Sequence, residues 1–225
     1  QNKLQLLLQN AELTVLKSQM NPHFIFNALN SIQHSIVTNN TEDAYRFLSK
    51  FSKLIRNILD NSSEQLISLK REIETLTLYS DIESKRFDNS FHHKMTIIDN
   101  GFSEEEIFIP PMLIQPFIEN AIWHGLMPKT GNKNLMITFT IVSLDYVICE
   151  ILDDGIGRER AGKISVDKSK KHKSRGLANI YDRVKILEKT HSINITIDMF
   201  DELNEENLPN GTKVVVKFIK NSEKL

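Results

Sequence analysis

Apolar side chains recur at steps of three and four along the start of the chain: Leu4, Leu8, Ala11, Val15, then Ile25, Leu29, Ile32 and Ile36, with Ser18 and Pro22 filling the steps between. This heptad seam constrains the fold more than any other feature, because it calls for a helix lying along another helix. A second line, Leu13, Leu16 and Met20, turns polar at His23, Asn27, Asn30 and His34. His23 therefore falls off the seam, on a polar face that a second domain could reach. Pro22 has no N–H and its ring crowds the carbonyl of Ser18, so a kink is expected beside His23.

Asn39 and Asn40 supply a turn, and a second helix is expected from Thr41 as N-cap, with Glu42 and Asp43 favourably placed in its first turn. Its apolar face is Ala44, Phe47, Leu48, Phe51, Leu54, Ile55, Ile58 and Leu59, wide enough to meet more than one neighbour. A single hairpin has little core, so pairing of two copies into a dimeric four-helix bundle is the economical arrangement. A third helix is expected from Leu69 to Phe87, capped by Ser68. These residues, 1–87, form the expected first domain, and 88–225 the second.

Near Phe91 the period changes. His93–Ile98 alternates as a strand, Glu105–Ile109 reads as another, and Pro111 can open a helix that carries Met112 to His124, with a bend at Pro116. Leu135–Val142 and Tyr146–Leu152 read as a hairpin, Gly176–Lys189 as a helix, and Ile193–Met199 and Thr212–Ile219 as closing strands around a polar loop, Asp201–Gly211. The sum is a mixed sheet with helices on one face, an α+β chain.

Composition excludes several classes. A net charge of -1 leaves no broad electrostatic footprint for nucleic acid, and no direct nucleic-acid partner is expected. One cysteine, Cys149, permits neither an internal disulfide nor a multi-cysteine metal site. No apolar run reaches the ~18 residues that a membrane span needs. The sequence opens on Gln1 within an amphipathic pattern and is expected to be part of something longer.

Chemistry concentrates in four segments: Asn21-Pro22-His23-Phe24-Ile25-Phe26-Asn27; Gln115 to Gly125, reading Gln-Pro-Phe-Ile-Glu-Asn-Ala-Ile-Trp-His-Gly; Asp153-Asp154-Gly155-Ile156-Gly157; and Arg175-Gly176-Leu177-Ala178-Asn179-Ile180-Tyr181-Asp182-Arg183. The glycines allow close backbone approach to a ligand, and a helix opening at Gly176 offers free N–H groups to phosphate. Asp153 ends a hydrophobic strand where a carboxylate could accept from an adenine amino group. Asn120 supplies an oxygen suited to Mg²⁺. Lys168, Lys170, Lys171 and Lys173 read as a basic lid over a triphosphate, or as a solvated loop.

Taken in order, the four segments resemble the sensor histidine kinases, specifically the LytS-like branch with its Asn-Pro-His-Phe-x-Phe-Asn motif, over residues 15–219. The resemblance implies a Bergerat (GHKL) α/β sandwich that binds ATP and Mg²⁺, placed after the dimerisation helices. It matches His23 to the phosphorylated histidine and Asn27 to its polar neighbour. It matches Asn120 to the Mg²⁺-holding asparagine of the N-box, with Glu119 and His124 around it. Asp153, Gly155 and Gly157 match the first glycine box, Gly176, Leu177 and Asn179 the second, Arg183 the basic residue after it, and Thr212 the residue that backs the adenine aspartate. It implies a response regulator receiver domain as partner, and a membrane-embedded sensor upstream of a cytoplasmic core. Three positions depart from the family pattern: Ser174 stands for a glycine, Trp123 for a common Lys or Arg, and Asp154 for Asn.

The expected reaction is autophosphorylation of His23 by ATP. Phe24 occupies the place where other branches carry an acid, so Glu119 is the candidate base. His92, His93, His172 and His191 read as surface or edge-strand residues. Two rival readings stay open: an ATPase of the same fold that drives conformational change, which leaves the His23 motif unexplained, and a non-catalytic scaffold or phosphatase.

Overall fold

The structure, a computed structural model, describes residues 22–87, 89–165, 180–188, 193–203 and 209–220. The seam before Pro22, the lysine-rich segment and the second glycine box with Gly176, Leu177 and Asn179 lie outside them. Helix α1 (Pro22–Val37) and helix α2 (Thr41–Ser62) form the hairpin. Asn39 turns the chain at a positive φ of 59°. Asn40, not Thr41, is the N-cap: its side chain accepts from the Asp43 N–H. The side chain one position earlier won because it reaches that N–H while Thr41 is already helical.

Inside the chain the hairpin packs along Phe24, Ala28 and Ile32, with Phe47, Phe51, Leu54 and Ile58 opposite. The seam residues Leu29 and Ile36 are about half exposed, as are Leu48 and Leu59 on α2. The wide stripe on α2 is therefore only partly used by α1 and its own chain.

Two-residue strand β1 (Ile67–Ser68) leads into helix α3 (Leu69–Arg86), where the Ser68 side chain accepts from the Arg71 N–H as expected. Strand β3 (Phe108–Ile109) pairs antiparallel with β1, and it is all that forms of the strand expected at Glu105–Ile109. The main sheet has the order β2-β4-β5-β7-β6, with β2 (His92–Ile98), β4 (Asn134–Ser143), β5 (Tyr146–Asp153), β6 (Ile193–Leu203) and β7 (Pro209–Lys220). Only β2 and β4 run parallel. That pairing needs a crossover, and the crossover carries β3 and the helical run from Gln115. The last two strands extend beyond the expected Ile193–Met199 and Thr212–Ile219, because their ladder persists through Leu203 and Pro209.

The helix expected from Met112 begins later. Pro111 to Ile114 form a turn, helix α4 spans Gln115–Asn120, and Ala121–Leu126 continue it as a π-helical turn. Met112 is not helical: its φ is 57°, and its N–H donates to both carboxylate oxygens of Glu72, at 3.1 and 3.2 Å. Glu72 lies on α3 and is fully buried. One short helix was not anticipated, α5 (Arg158–Ser165), whose first residue forms a two-pronged ion pair with Asp201, both contacts 2.8 Å. Residues 180–188 form the last helix, α6, which buries Ile180, Val184 and Leu187.

The buried apolar residues form one cluster from Phe24 and Phe51 through Tyr79 and Ile82 to Phe117, Phe139 and Phe218. Helix α3 is its spine. Tyr79 packs on Phe24 at 5.3 Å between ring centroids. Asp81 holds Lys50 of α2 at 2.6 Å and His93 at 3.0 Å; His93 lies on the edge strand β2, as expected, half-buried by this contact.

Burial pushes the Glu72 carboxyl up to about 7, against the Met112 N–H and the charge of Arg183, which oppose it. The folded chain thus holds this proton more tightly than the unfolded chain, whose carboxyl titrates near the ordinary 4.5. Its stabilising contribution is complete below that ordinary value and lost as pH rises through about 7. Urea unfolding at pH 5 and pH 8 should show wild-type stability declining with pH, and Glu72→Gln should flatten that decline by on the order of 3 kcal/mol. An unaltered pH dependence in the variant would contradict this assignment.

Candidate functional site

The site grows out of the end of β5. Asp153 is the last residue of that strand and sits opposite Thr212 in the β5–β7 ladder. Only 3% of it is exposed. Its Oδ1 accepts from the Gly155 N–H at 2.9 Å, and the Thr212 backbone N–H also serves its carboxylate. Burial pushes the Asp153 carboxyl up to about 7, aided by the charge of Asp154 and opposed by these N–H groups and by Lys129.

The helical run brings the second wall. Gly125, in the π-helical turn, lies so close that a Cβ there would meet the Asp153 Oδ1 at 2.6 Å. A Cβ on Gly155 would meet the Gly125 backbone at 2.3 Å. The Gly125 carbonyl accepts from the Ile156 N–H at 3.1 Å, so the two segments touch backbone to backbone. Gly211, at φ 121°, closes the third side, where a Cβ would strike the Asp153 carbonyl at 1.9 Å. Three separated pieces of sequence thus converge at Asp153, with a glycine at each close approach.

Around this cradle, Asn120 ends α4 and Glu119 precedes it, both half-buried, and His124 stands on the π-helical turn. Gly157 has φ 76° and leads into α5. Asp154 does not face the cradle alone. Its carboxylate accepts from the Asn134 backbone and side-chain N–H groups at 2.8 and 2.7 Å, and pairs with Lys129 at 3.0 Å. Partial burial pushes its carboxyl up, but these donors outweigh it and hold the group below the ordinary range. An aspartate at this position therefore has a full complement of donors.

Of the other residues expected at the site, Arg183 lies on α6, mostly buried, where its charge acts on Glu72. This relation points to α3. Asn27 is half-buried on α1, and His23 lies in the first turn of the same helix. The next residue, Phe24, is 7% exposed and packs against Tyr79 and Phe51. Position 24 faces the core, which is why an acid could not serve as a base there. Two contributors were not singled out from sequence for their contacts: Gly125 and Gly211. Their signal was present as the glycines that end the Gln115 segment and precede Thr212.

Residues 11–91 match the family model described as histidine kinase. The sensor histidine kinase YpdA of Escherichia coli is 33% identical over 187 residues, 82% of this chain and 32% of that protein. The sensor protein LytS of Oceanobacillus iheyensis is 35% identical over 157 residues, 70% of this chain and 26% of that protein. The solved mycobacterial sensor histidine kinase MprB aligns at a TM-score of 0.43 with 12% identity, covering 68% of this chain and 95% of that one. The chain belongs to the histidine kinase family, among the LytS-like sensor kinases. It spans about a third or less of the length of these two sensor relatives.

The cradle makes a direct demand on the backbone. Gly155→Ala should lower stability by ~2 kcal/mol or more, the ordinary cost of overpacking against rigid backbone, read as a fall in the urea midpoint. Gly162→Ala, inside helix α5 with nothing within 4 Å of the added Cβ, is the control and should hold or raise the midpoint, since alanine favours a helix by up to about 1 kcal/mol over glycine.

Proposed function

We propose that this chain is the cytoplasmic core of a two-component sensor histidine kinase, which phosphorylates His23 from ATP and passes the phosphoryl group to an aspartate of a response regulator receiver domain. The observation that carries the reading is the convergence of Gly125, Gly155 and Gly211 on the buried Asp153, with Asn120 one helical turn from Gly125. Bare backbone around one carboxylate suits a flat base with an exocyclic amine. The family relationship supports the same reading.

In this mechanism residues 88–225 bind the nucleotide and residues 1–87 present the histidine in a homodimer, with α3 packed against both units. Asp153 accepts from the adenine amino group, and Thr212 holds that carboxylate in place. Gly155 and Gly157 let the backbone close on the nucleotide. The resemblance assigns Gly176, Leu177 and Asn179, outside the described residues, and Arg183 to the phosphate end of the nucleotide, and His124 stands near Asn120.

Among the described residues no group of three His, Cys, Asp or Glu side chains could hold a metal alone. The hard oxygen of Asn120 fits Mg²⁺ shared with phosphate oxygens, where such an ion keeps several waters. When bound, Mg²⁺ neutralises charge on the phosphates. A neutral His23 nitrogen attacks the γ-phosphorus, the bond to the β-phosphate oxygen breaks, ADP leaves, and the imidazole proton passes to Glu119, with Asn27 orienting the ring.

No helix among the described residues is long and apolar enough to cross a membrane. A membrane-embedded sensor joined ahead of the seam completes the proposal.

γ-Labelled ATP should give acid-labile, base-stable label that is lost in His23→Gln and in Asn120→Asp. Label surviving His23→Gln would sink the phosphoacceptor assignment, and a nucleotide-dependent ATPase without label would favour the rival. Because Asp153 must be ionised to accept fully and titrates near 7, affinity for AMP-PNP should fall as pH drops from 8 to 6. A flat affinity over that range would argue against Asp153 as the adenine partner.

A further inference from the structure

The C-terminal end of α3 meets the helical run of the nucleotide site through one cation. Arg86 is the last residue of α3, and its side chain is 7% exposed. Its guanidinium carbon lies 4.2 Å from the centroid of the Phe87 ring and 4.4 Å from that of Trp123. The two rings meet edge to face, 5.1 Å apart at 75°. Trp123 stands in the π-helical turn, between Asn120 and Gly125.

A buried guanidinium needs a partner. Glu83, one turn earlier on α3 and fully buried, supplies it: its Oε2 accepts from both Nε and a terminal nitrogen of Arg86. Burial pushes the Glu83 carboxyl up, the Arg86 charge opposes this, and the charge of Glu119 adds to it. Glu119 is thus close enough to be felt by the pair. The pair is fixed to α3, whereas the ring on which the guanidinium stacks belongs to the segment of Asn120 and His124. The same helix carries Tyr79, packed on Phe24 beside His23.

We propose that Arg86 is a positioning residue for the nucleotide site, holding the segment from Asn120 to His124 in its binding geometry by stacking on Trp123. This rests on the nucleotide-binding reading given above. A guanidinium serves both roles, donating from its edge to a carboxylate while its carbon stands over the two rings. Lysine keeps the charge but not the stack.

Trp123 is the one tryptophan of the chain, so its emission reports the stack directly. Calorimetric titration of the full chain with AMP-PNP and Mg²⁺ should show Arg86→Lys binding about tenfold more weakly, the scale of one desolvated cation–π contact. Its tryptophan emission should shift, and its circular dichroism should match wild type. Trp123→Leu should weaken binding similarly, and the double variant no further than either single one, because one contact is lost in each case. Wild-type affinity and emission in Arg86→Lys, or losses that multiply in the double variant, would overturn the proposal. If Arg86→Lys does not fold, Trp123→Phe, which keeps a ring under the cation, must bind more tightly than Trp123→Leu; equal affinities overturn it. Failure of the wild-type chain itself to bind AMP-PNP would instead reject the nucleotide reading, and this inference with it.

Discussion

The backbone contact between Gly125 and Gly155 sets the terms for everything around it. A sheet and a helix usually meet through side chains and keep about 10 Å between their axes. Here the distance collapses locally because neither partner has a Cβ, and the Ile156 N–H bonds directly to the Gly125 carbonyl. The π-helical turn at Ala121–Leu126 belongs to the same constraint. A wider turn is one way to bring a chosen backbone carbonyl out of the ordinary helical ladder. Asp153 can then be buried beside the contact because N–H groups released from regular pairing are aimed at it.

Burying that aspartate is costly unless it is hydrogen-bonded, and the fold meets the cost twice over in similar ways. Glu72 accepts from the Met112 N–H at a left-handed residue, as Asp153 accepts from the Gly155 N–H at the strand end. In both places a carboxylate fixes an irregular stretch that no ladder could hold. The first determines where the helical run begins, and the second determines where the sheet opens. Helix α3, which carries Glu72, Tyr79, Asp81, Glu83 and Arg86, reaches α1, α2, β2 and the segment from Met112 to Trp123 through its side chains.

Much of this was legible from residue patterns, for identifiable reasons. Strands β4 and β5 alternate because one face is core, so their period and their hairpin turn could be read, and β7 was legible from its run of valines. The boundaries of α3 followed from Ser68 and its first turn. What was not legible depends on partners distant in sequence. The delayed start of α4 follows from Glu72 seizing Met112, and no local propensity encodes that. The Arg86–Trp123 stack joins two segments that individually read as a helix end and a packing residue. His93 sits on the edge strand as read, but its contact with Asp81 of α3 could not be read from the sequence. The intrachain face of α1 takes Ile32 from the seam but adds Phe24 and Ala28, which the seam did not include, while Leu29 and Ile36 stay about half exposed within one chain.

The order of strands in the sheet also bears on how the molecule comes into being. Asp153 is synthesised well before its ladder neighbour Thr212, and β7 lies between β5 and β6. On a ribosome the hairpin and α3 can gather early, since their contacts are local, whereas β7, the strand that joins β5 to β6, arrives last. Until it inserts, β5 has an open edge and the buried aspartate lacks one of its donors. The enclosure of Asp153 is therefore among the final features to mature, and a chain truncated before β7 would carry the helical hairpin without it.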